Sequence, residues 1–180
     1  TEDFLITYTG ELSEDRIPAL LRALSRLEHS NIKLQFIGNT CPELKQEIQR
    51  LNLGNKVMLK PYMPHIASIA ELQQSDLLLL VINQVANGKG IVPGKIFEYL
   101  GTRKPILCLG DPTGEAGEII KTTNSGFCIA HHNEEEIFIL LSRLSSGVLP
   151  GLSFQTEQFE RKNETGQLCD IFNTLVNKPS

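Results

Sequence analysis

The chain has 180 residues, 41% of them hydrophobic and 21% charged, which suits one soluble domain with a sizeable core. A formal net charge of −4 makes the molecule a poor electrostatic trap for nucleic acid, and with 3 Tyr and no Trp it lacks stacking platforms for single strands. No apolar run approaches the roughly 20 residues that cross a bilayer.

The first strand is expected at Phe4–Thr9 (FLITYT), stopped by Gly10. So early a strand, in a chain that starts at Thr1 with no signal-like segment, reads as a piece of a longer protein. Ser13, Glu14 and Asp15 make an acidic helix start with Pro18 early in it. Ile17, Leu20, Leu21, Leu24 and Leu27 then recur at helical spacing and should bury one face. A second strand follows at Ile32–Ile37, ended by Gly38. Thr40 and Pro42 open a helix carrying Leu44, Ile48 and Leu51, with Gly54 as its stop.

Residues 56–60 predict a short third strand, and Pro64 starts a helix through Ile66, Ile69, Ala70 and Leu72 that ends by Asp76. The run LLLLVI at 77–82 has strand length and no polar face, as a strand covered on both sides requires. A glycine-bearing loop, 83–94, leads into a helix, and a strand follows at 106–109. The loop 110–114 opens a helix through Ile119 and Ile120, and 127–130 is a last strand. Asn133 with Glu136 forms a capping box for a helix through Ile137, Leu140, Leu141 and Leu144.

Residues 1–150 thus form one domain. After a linker-like stretch, residues 151–180 should carry a tail helix with Leu168, Ile171, Phe172, Leu175 and Val176 on one face, packing back on the domain or toward a missing N-terminal domain. Six strands alternating with helices predict an α/β fold, a Rossmann-like, doubly wound parallel sheet with helices on both faces. Ligands of such sheets bind beyond the carboxyl ends of the strands, where the strand order switches.

Several chemistries fail on the loops. The first loop, TGELSED, lacks the GxGxxG of a dinucleotide site, and its acids would repel a pyrophosphate. Gly88 and Gly90 lie in a glycine-bearing loop with Lys89, but no Walker sequence surrounds them. Cys128, His131 and His132 have no further ligand partners at zinc spacing, and no GxSxG elbow marks a nucleophile. An acidic cluster of the receiver type does not follow the first strand. The four cysteines lack CxxC spacing, which suits a reducing, cytosolic compartment.

The most informative stretch is 92–105, VPGKIFEYLGTRKP. Pro93 and Gly94 lead into a helix whose first turn carries Lys95 and Glu98 three residues apart, with Ile96, Phe97 and Leu100 as its apolar face. A lysine and a glutamate beside first-turn N–H groups can hold a phosphate and a sugar hydroxyl together. A surface helix with an i,i+3 salt bridge fits this fragment equally well.

With the strand before it, KIFEYL and KP within it, and the helix of Gly114, Glu115 and Glu118 after it, the stretch resembles the C-terminal, donor-binding half of GT-B fold glycosyltransferases. The group is the large retaining one that includes glycogen synthases and many bacterial sugar transferases. The resemblance covers about residues 4–130. It implies binding of a nucleotide diphosphate sugar, retention at the anomeric carbon, and no cofactor or essential metal.

Residue by residue, it implies that Glu98 binds the ribose hydroxyls, a role suited to a two-acceptor carboxylate. The family's earlier glutamate would fall at Gly90, so backbone N–H groups near Gly88 and Gly90 would substitute for it. Gly10 opens the diphosphate loop. The family's arginine position is Glu11, a charge reversal, while its lysine position is Arg16, which retains a cation; Lys95 would supply another. Tyr62 and Met63 fall where the base is held, and Gly114 with Glu115 where a helix start faces phosphate or sugar.

The acceptor site would lie in a preceding N-terminal domain, so the fragment should bind nucleotide without turnover. Any contact with the inner face of the cell membrane would be made through that missing half. Two rivals stand beside this reading: a sugar-nucleotide 2-epimerase half, and a degenerate non-catalytic module, which Glu11 and Gly90 favour.

Overall fold

Short runs of apolar and β-branched residues form six strands that pair entirely in parallel. The computed structural model describes residues 2–84, 90–148 and 151–156. Strand β1 (Phe4–Thr9), β2 (Ile32–Ile37), β3 (Val57–Lys60), β4 (Leu77–Val81), β5 (Ile106–Leu109) and β6 (Gly126–Ile129) lie in the order β3-β2-β1-β4-β5-β6. The order reverses between β1 and β4, so the loops after these two strands part at the carboxyl rim and leave a crevice. Register aligns that rim: Thr9 faces Ile37 and Ile37 faces Lys60, while Val81, Leu109 and Ile129 align on the other side.

Helices α1 (Pro18–Ser25), α2 (Pro42–Arg50) and α6 (Glu134–Ser145) cover one face of the sheet, where Leu20, Leu24, Leu44 and Leu141 are fully buried. Helices α3 (His65–Gln74), α4 (Lys95–Thr102) and α5 (Glu115–Thr122) cover the other with Leu72, Ile96, Leu100 and Ile120. Among the described residues no helix is long and apolar enough to cross a membrane.

The elements expected from β1 through α6 are present, with physically instructive shifts. The first helix begins in two pieces, a 3-10 turn at Glu14–Arg16 and then α1, because Pro18 cannot donate within a continuous helix. Helix α2 ends at Arg50, not at Gly54. Asn52 takes the left-handed conformation (φ 55°), and the Leu53 N–H closes onto the Ile48 carbonyl at 2.9 Å. On α4, Phe97 is 42% exposed and Tyr99 takes the inner face with Ile96 and Leu100, a triplet at i, i+3, i+4.

Helix α3 departs furthest from its apolar pattern. Ile66 is 84% exposed, and Leu72 alone of its residues is fully buried. The sheet beneath is polar there: Gln35 Nε2 donates to Thr7 Oγ1 (3.4 Å) and to Glu71 Oε2 (3.1 Å), and Ser75 Oγ donates to Thr7 Oγ1 (2.6 Å). Lys60 Nζ completes the network on Glu71 at 2.9 Å. The tail expected over 151–180 lies outside the described residues beyond Thr156. Its first residues run beside the end of α5, where the Gln155 N–H donates to the Thr123 carbonyl at 2.7 Å.

Candidate functional site

Two glycines set the floor of the crevice. Gly10 (φ 124°) and Gly38 (φ 135°) end β1 and β2 in a conformation that side chains avoid, and a Cβ on Gly38 would lie 2.2 Å from the Gly10 carbonyl oxygen. The pairing ladder therefore continues into the loops: Gly10 N–H donates to the Ile37 carbonyl (2.8 Å) and Leu12 N–H to the Asn39 carbonyl (3.0 Å). Above this floor opens a cleft of about 370 Å³ that brings together Gly10, Glu11, Tyr62, Met63, Lys95 and Glu98.

Helix α4 supplies the charged wall. Tyr99, fully buried behind that wall, anchors the helix with its hydroxyl 3.3 Å from Thr9 Oγ1; burial pushes its pKa up to about 12. Four residues back, Lys95 Nζ donates to the Thr9 carbonyl and lies 5.2 Å over the Tyr8 ring. Two side chains of α4 thus grip the last residue of β1. Lys95 does not fold back onto Glu98 in the salt bridge that its spacing allowed. Burial pulls its pKa below the usual lysine value, Glu98 opposes that shift, and the charge of Arg16 adds to it. Glu98 is exposed and lines the cleft.

The other expected site residues are spread along the rim. Tyr62 is 76% exposed at the mouth of the cleft, beside Met63. Arg16 is not in this cleft: its guanidinium donates to the Glu11 carbonyl (3.0 Å) and the Val81 carbonyl (3.0 Å), and it lines a hollow across the loop from Lys95. Sequence places Arg16 near β1 but cannot show that the chain turns it toward the end of β4. Gly114 caps α5 in extended backbone, and Glu115 stands beside Gly90, where a Cβ would lie 3.9 Å from Glu115 Oε1. Gly88 lies outside the described residues.

Asn39, His65 and Ser68 also line the cleft and were not singled out by sequence. For Asn39 a signal existed, since it follows a strand-ending glycine at the rim. His131 Nε2 donates to the Ile82 carbonyl at 2.7 Å, tying β6 to β4, and burial lowers its pKa. Among the described residues no group of three His, Cys, Asp or Glu side chains could hold a metal ion.

Residues 1–146 match the family described as glycosyl transferases group 1. Among solved structures, the chain is similar to HepE from Anabaena in complex with UDP and glucose (19% identity, 98% of this chain and 49% of that one, TM-score 0.67). It is also similar to the lipopolysaccharide outer core galactosyltransferase WaaB (15% identity, 96% and 50%, TM-score 0.73). A Listeria monocytogenes protein assigned as a UDP-N-acetylglucosamine 2-epimerase shares the fold at 13% identity (99% and 46%, TM-score 0.62). The chain spans about half the length of each of these proteins. No curated protein sequence matches it.

Proposed function

Because the chain belongs to the glycosyl transferases group 1 family, and its fold is that of one half of a GT-B enzyme, we propose that it binds the nucleotide sugar donor. The sugar would pass to an acceptor held by a preceding N-terminal domain. The observation that carries this reading is the exposed Glu98 carboxylate at the rim of a cleft whose floor is Gly10 and whose wall carries Lys95. The UDP and UDP-glucose complexes of HepE make a uridine nucleotide the first candidate.

In this reading Glu98 accepts both hydroxyls of the ribose, and the base lies against Tyr62 and Met63. The diphosphate lies over Gly10. Lys95 then exchanges its carbonyl partner for a phosphate oxygen, and Arg16 faces the diphosphate from across the loop. The first-turn N–H groups of α4, and of α5 at Gly114 and Glu115, add positive potential to the same rim. When the glycosidic bond to the donor breaks, negative charge grows on the departing diphosphate, and these fixed donors stabilise it without reorganising. Backbone near Gly88 and Gly90 would contact the sugar. No cofactor or metal enters the scheme, transfer proceeds with retention, and this half alone binds nucleotide without turning it over.

Calorimetric titration with UDP and GDP tests the reading. Glu98→Ala should weaken the ribonucleotide about tenfold to a hundredfold and leave the matching 2′,3′-dideoxynucleotide nearly unchanged. Equal losses for both would show that Glu98 does not read the ribose. Arg16→Ala should cost diphosphates more than monophosphates. Because the fold also serves a protein assigned as an epimerase, product analysis of the two-lobed protein separates transfer from epimerisation. Absence of any nucleotide binding at millimolar concentration would favour a non-catalytic module, the reading that Glu11 supports.

A further inference from the structure

Two cysteines outside the cleft face each other across the last two strands of the sheet. Cys108 of β5 and Cys128 of β6 are register partners, so their side chains leave the same face at the same level. Both pack in the core beneath α4 and α5, and both are free thiols. Neighbouring strands lie about 4.8 Å apart, inside the roughly 4.4–6.8 Å between Cα atoms that a disulfide spans. Cys108 is fully buried, whereas Cys128 is half-buried on β6, the edge strand. One sulfur is thus open to a small solute, and the other waits behind it.

The two thiols are also joined by a hydrogen bond, in which Cys108 S–H donates to the Cys128 sulfur. This bond raises the pKa of Cys108, with burial adding to the rise, and it lowers that of Cys128. Burial of Cys128 and the carboxylates of Asp111 and Glu136 oppose the lowering. The outer sulfur therefore carries the more thiolate character and reacts first. Cys41 is no competitor, because it packs against the core on the other face of the sheet. Cys169 lies outside the described residues.

We propose that Cys108 and Cys128 form a modification site for a peroxide, which joins them in a reversible disulfide between β5 and β6. Cys128 sulfur attacks one peroxide oxygen; the O–O bond breaks, and the leaving hydroxide takes the thiol's proton as water. A sulfenic acid remains on Cys128. Cys108 sulfur then attacks the sulfur of Cys128, an S–S bond forms, the S–O bond breaks, and the departing hydroxide takes the Cys108 proton. Two thiols lose two electrons, and one peroxide becomes two waters. The ring so closed contains all of α5, so the bond ties the edge strand and that helix to β5. In a reducing compartment such a bond is a transient mark of oxidant, erased by cellular thiols. This inference stands apart from the donor reading.

The test treats the reduced full chain with hydrogen peroxide, alkylates the remaining thiols in denaturant, and maps the tryptic peptides without reductant. Trypsin cuts after Lys121, between the two cysteines, so a bridge appears as two peptides held together and released by dithiothreitol. Wild type should lose two thiols and two hydrogens of mass, and its Tm should rise by about 5–10 °C and return on reduction. Cys128→Ser should leave Cys108 fully alkylated after the same treatment. Oxygen retained on Cys128 with Cys108 still alkylated, a bridge to Cys41 or Cys169 instead, or no loss of thiol would each overturn the site. A Cys108–Cys128 bridge that melts no higher than the reduced chain would overturn the tie between β5 and β6.

Discussion

Lys95 shows how a single side chain trades stability against function. Its ammonium is drawn from water onto the Thr9 carbonyl, and burial disfavours its charge. A half-buried cation of this kind adds little to folding but is placed for an arriving anion. Lys95→Met should therefore leave urea-unfolding stability within about 1 kcal/mol of wild type, while nucleotide diphosphate affinity falls about tenfold. A large loss of stability would mark it as a structural lysine. Gly38 is the opposite case. Its φ of 135° and the 2.2 Å approach that a Cβ would make to the Gly10 carbonyl oxygen admit no side chain. Gly38→Ala should destabilise the fold by about 2–4 kcal/mol in urea unfolding. The sequence marked Gly38 as a strand stop and Lys95 as a site residue. It could not show that the two glycine loops abut, because that contact joins residues 28 positions apart.

At the scale of the element, local signals were read well where they were purely local. The N-cap half of the box expected at α6 is formed, since Asn133 Oδ1 accepts from the Glu136 N–H at 3.3 Å; the return bond differs, because Glu136 Oε2 accepts from the Asn133 side-chain Nδ2 at 2.7 Å while the Asn133 backbone N–H donates to the Ala130 carbonyl at 2.9 Å. Asn133→Ala should cost about 0.5–2 kcal/mol, measured as a lower urea midpoint with unchanged slope. The same helix is tied to α1 by Glu134 with Arg22 (2.7 Å) and by Glu135 with Arg26 (2.9 Å), exposed pairs that contribute little singly. Faces were harder to read than helices. Phe97 and Tyr99 are both large and aromatic, and only the sheet beneath decides that Tyr99 turns inward. On α3, apolar residues were present but the strip below it is Thr7 and Gln35, so the helix docks through Glu71 and Ser75 and leaves Ile66 in solvent.

For the whole molecule, pH dependence follows from groups whose charge the fold treats unequally. Glu71 is held below the usual carboxylate range by Lys60 and Gln35, and Glu134 by Arg22 and Arg26. Their contribution is fully present above the ordinary value of about 4.5 and is lost as pH falls through the depressed folded values. His131 is depressed by burial, so folding favours its neutral ring. Its contribution is full above the ordinary 6.5 and fades as pH falls through its lowered folded value. Calorimetric melting should therefore show a mild loss of stability below about pH 6.5 and a steeper one below about pH 4.5. His131→Gln should flatten the first and leave the second; an unchanged profile would show that His131 does not contribute. By itself the sequence determined the element types, the parallel α/β class and the residues of the central helix, because periodicity, glycine stops and helix caps act over a few positions. Only the tertiary structure decided that β1 and β4 sit side by side, that Lys95 and Arg16 fall on opposite sides of one loop, and that a second hollow opens beyond it. Those facts depend on strand order and on contacts between residues far apart along the chain, which no local pattern encodes.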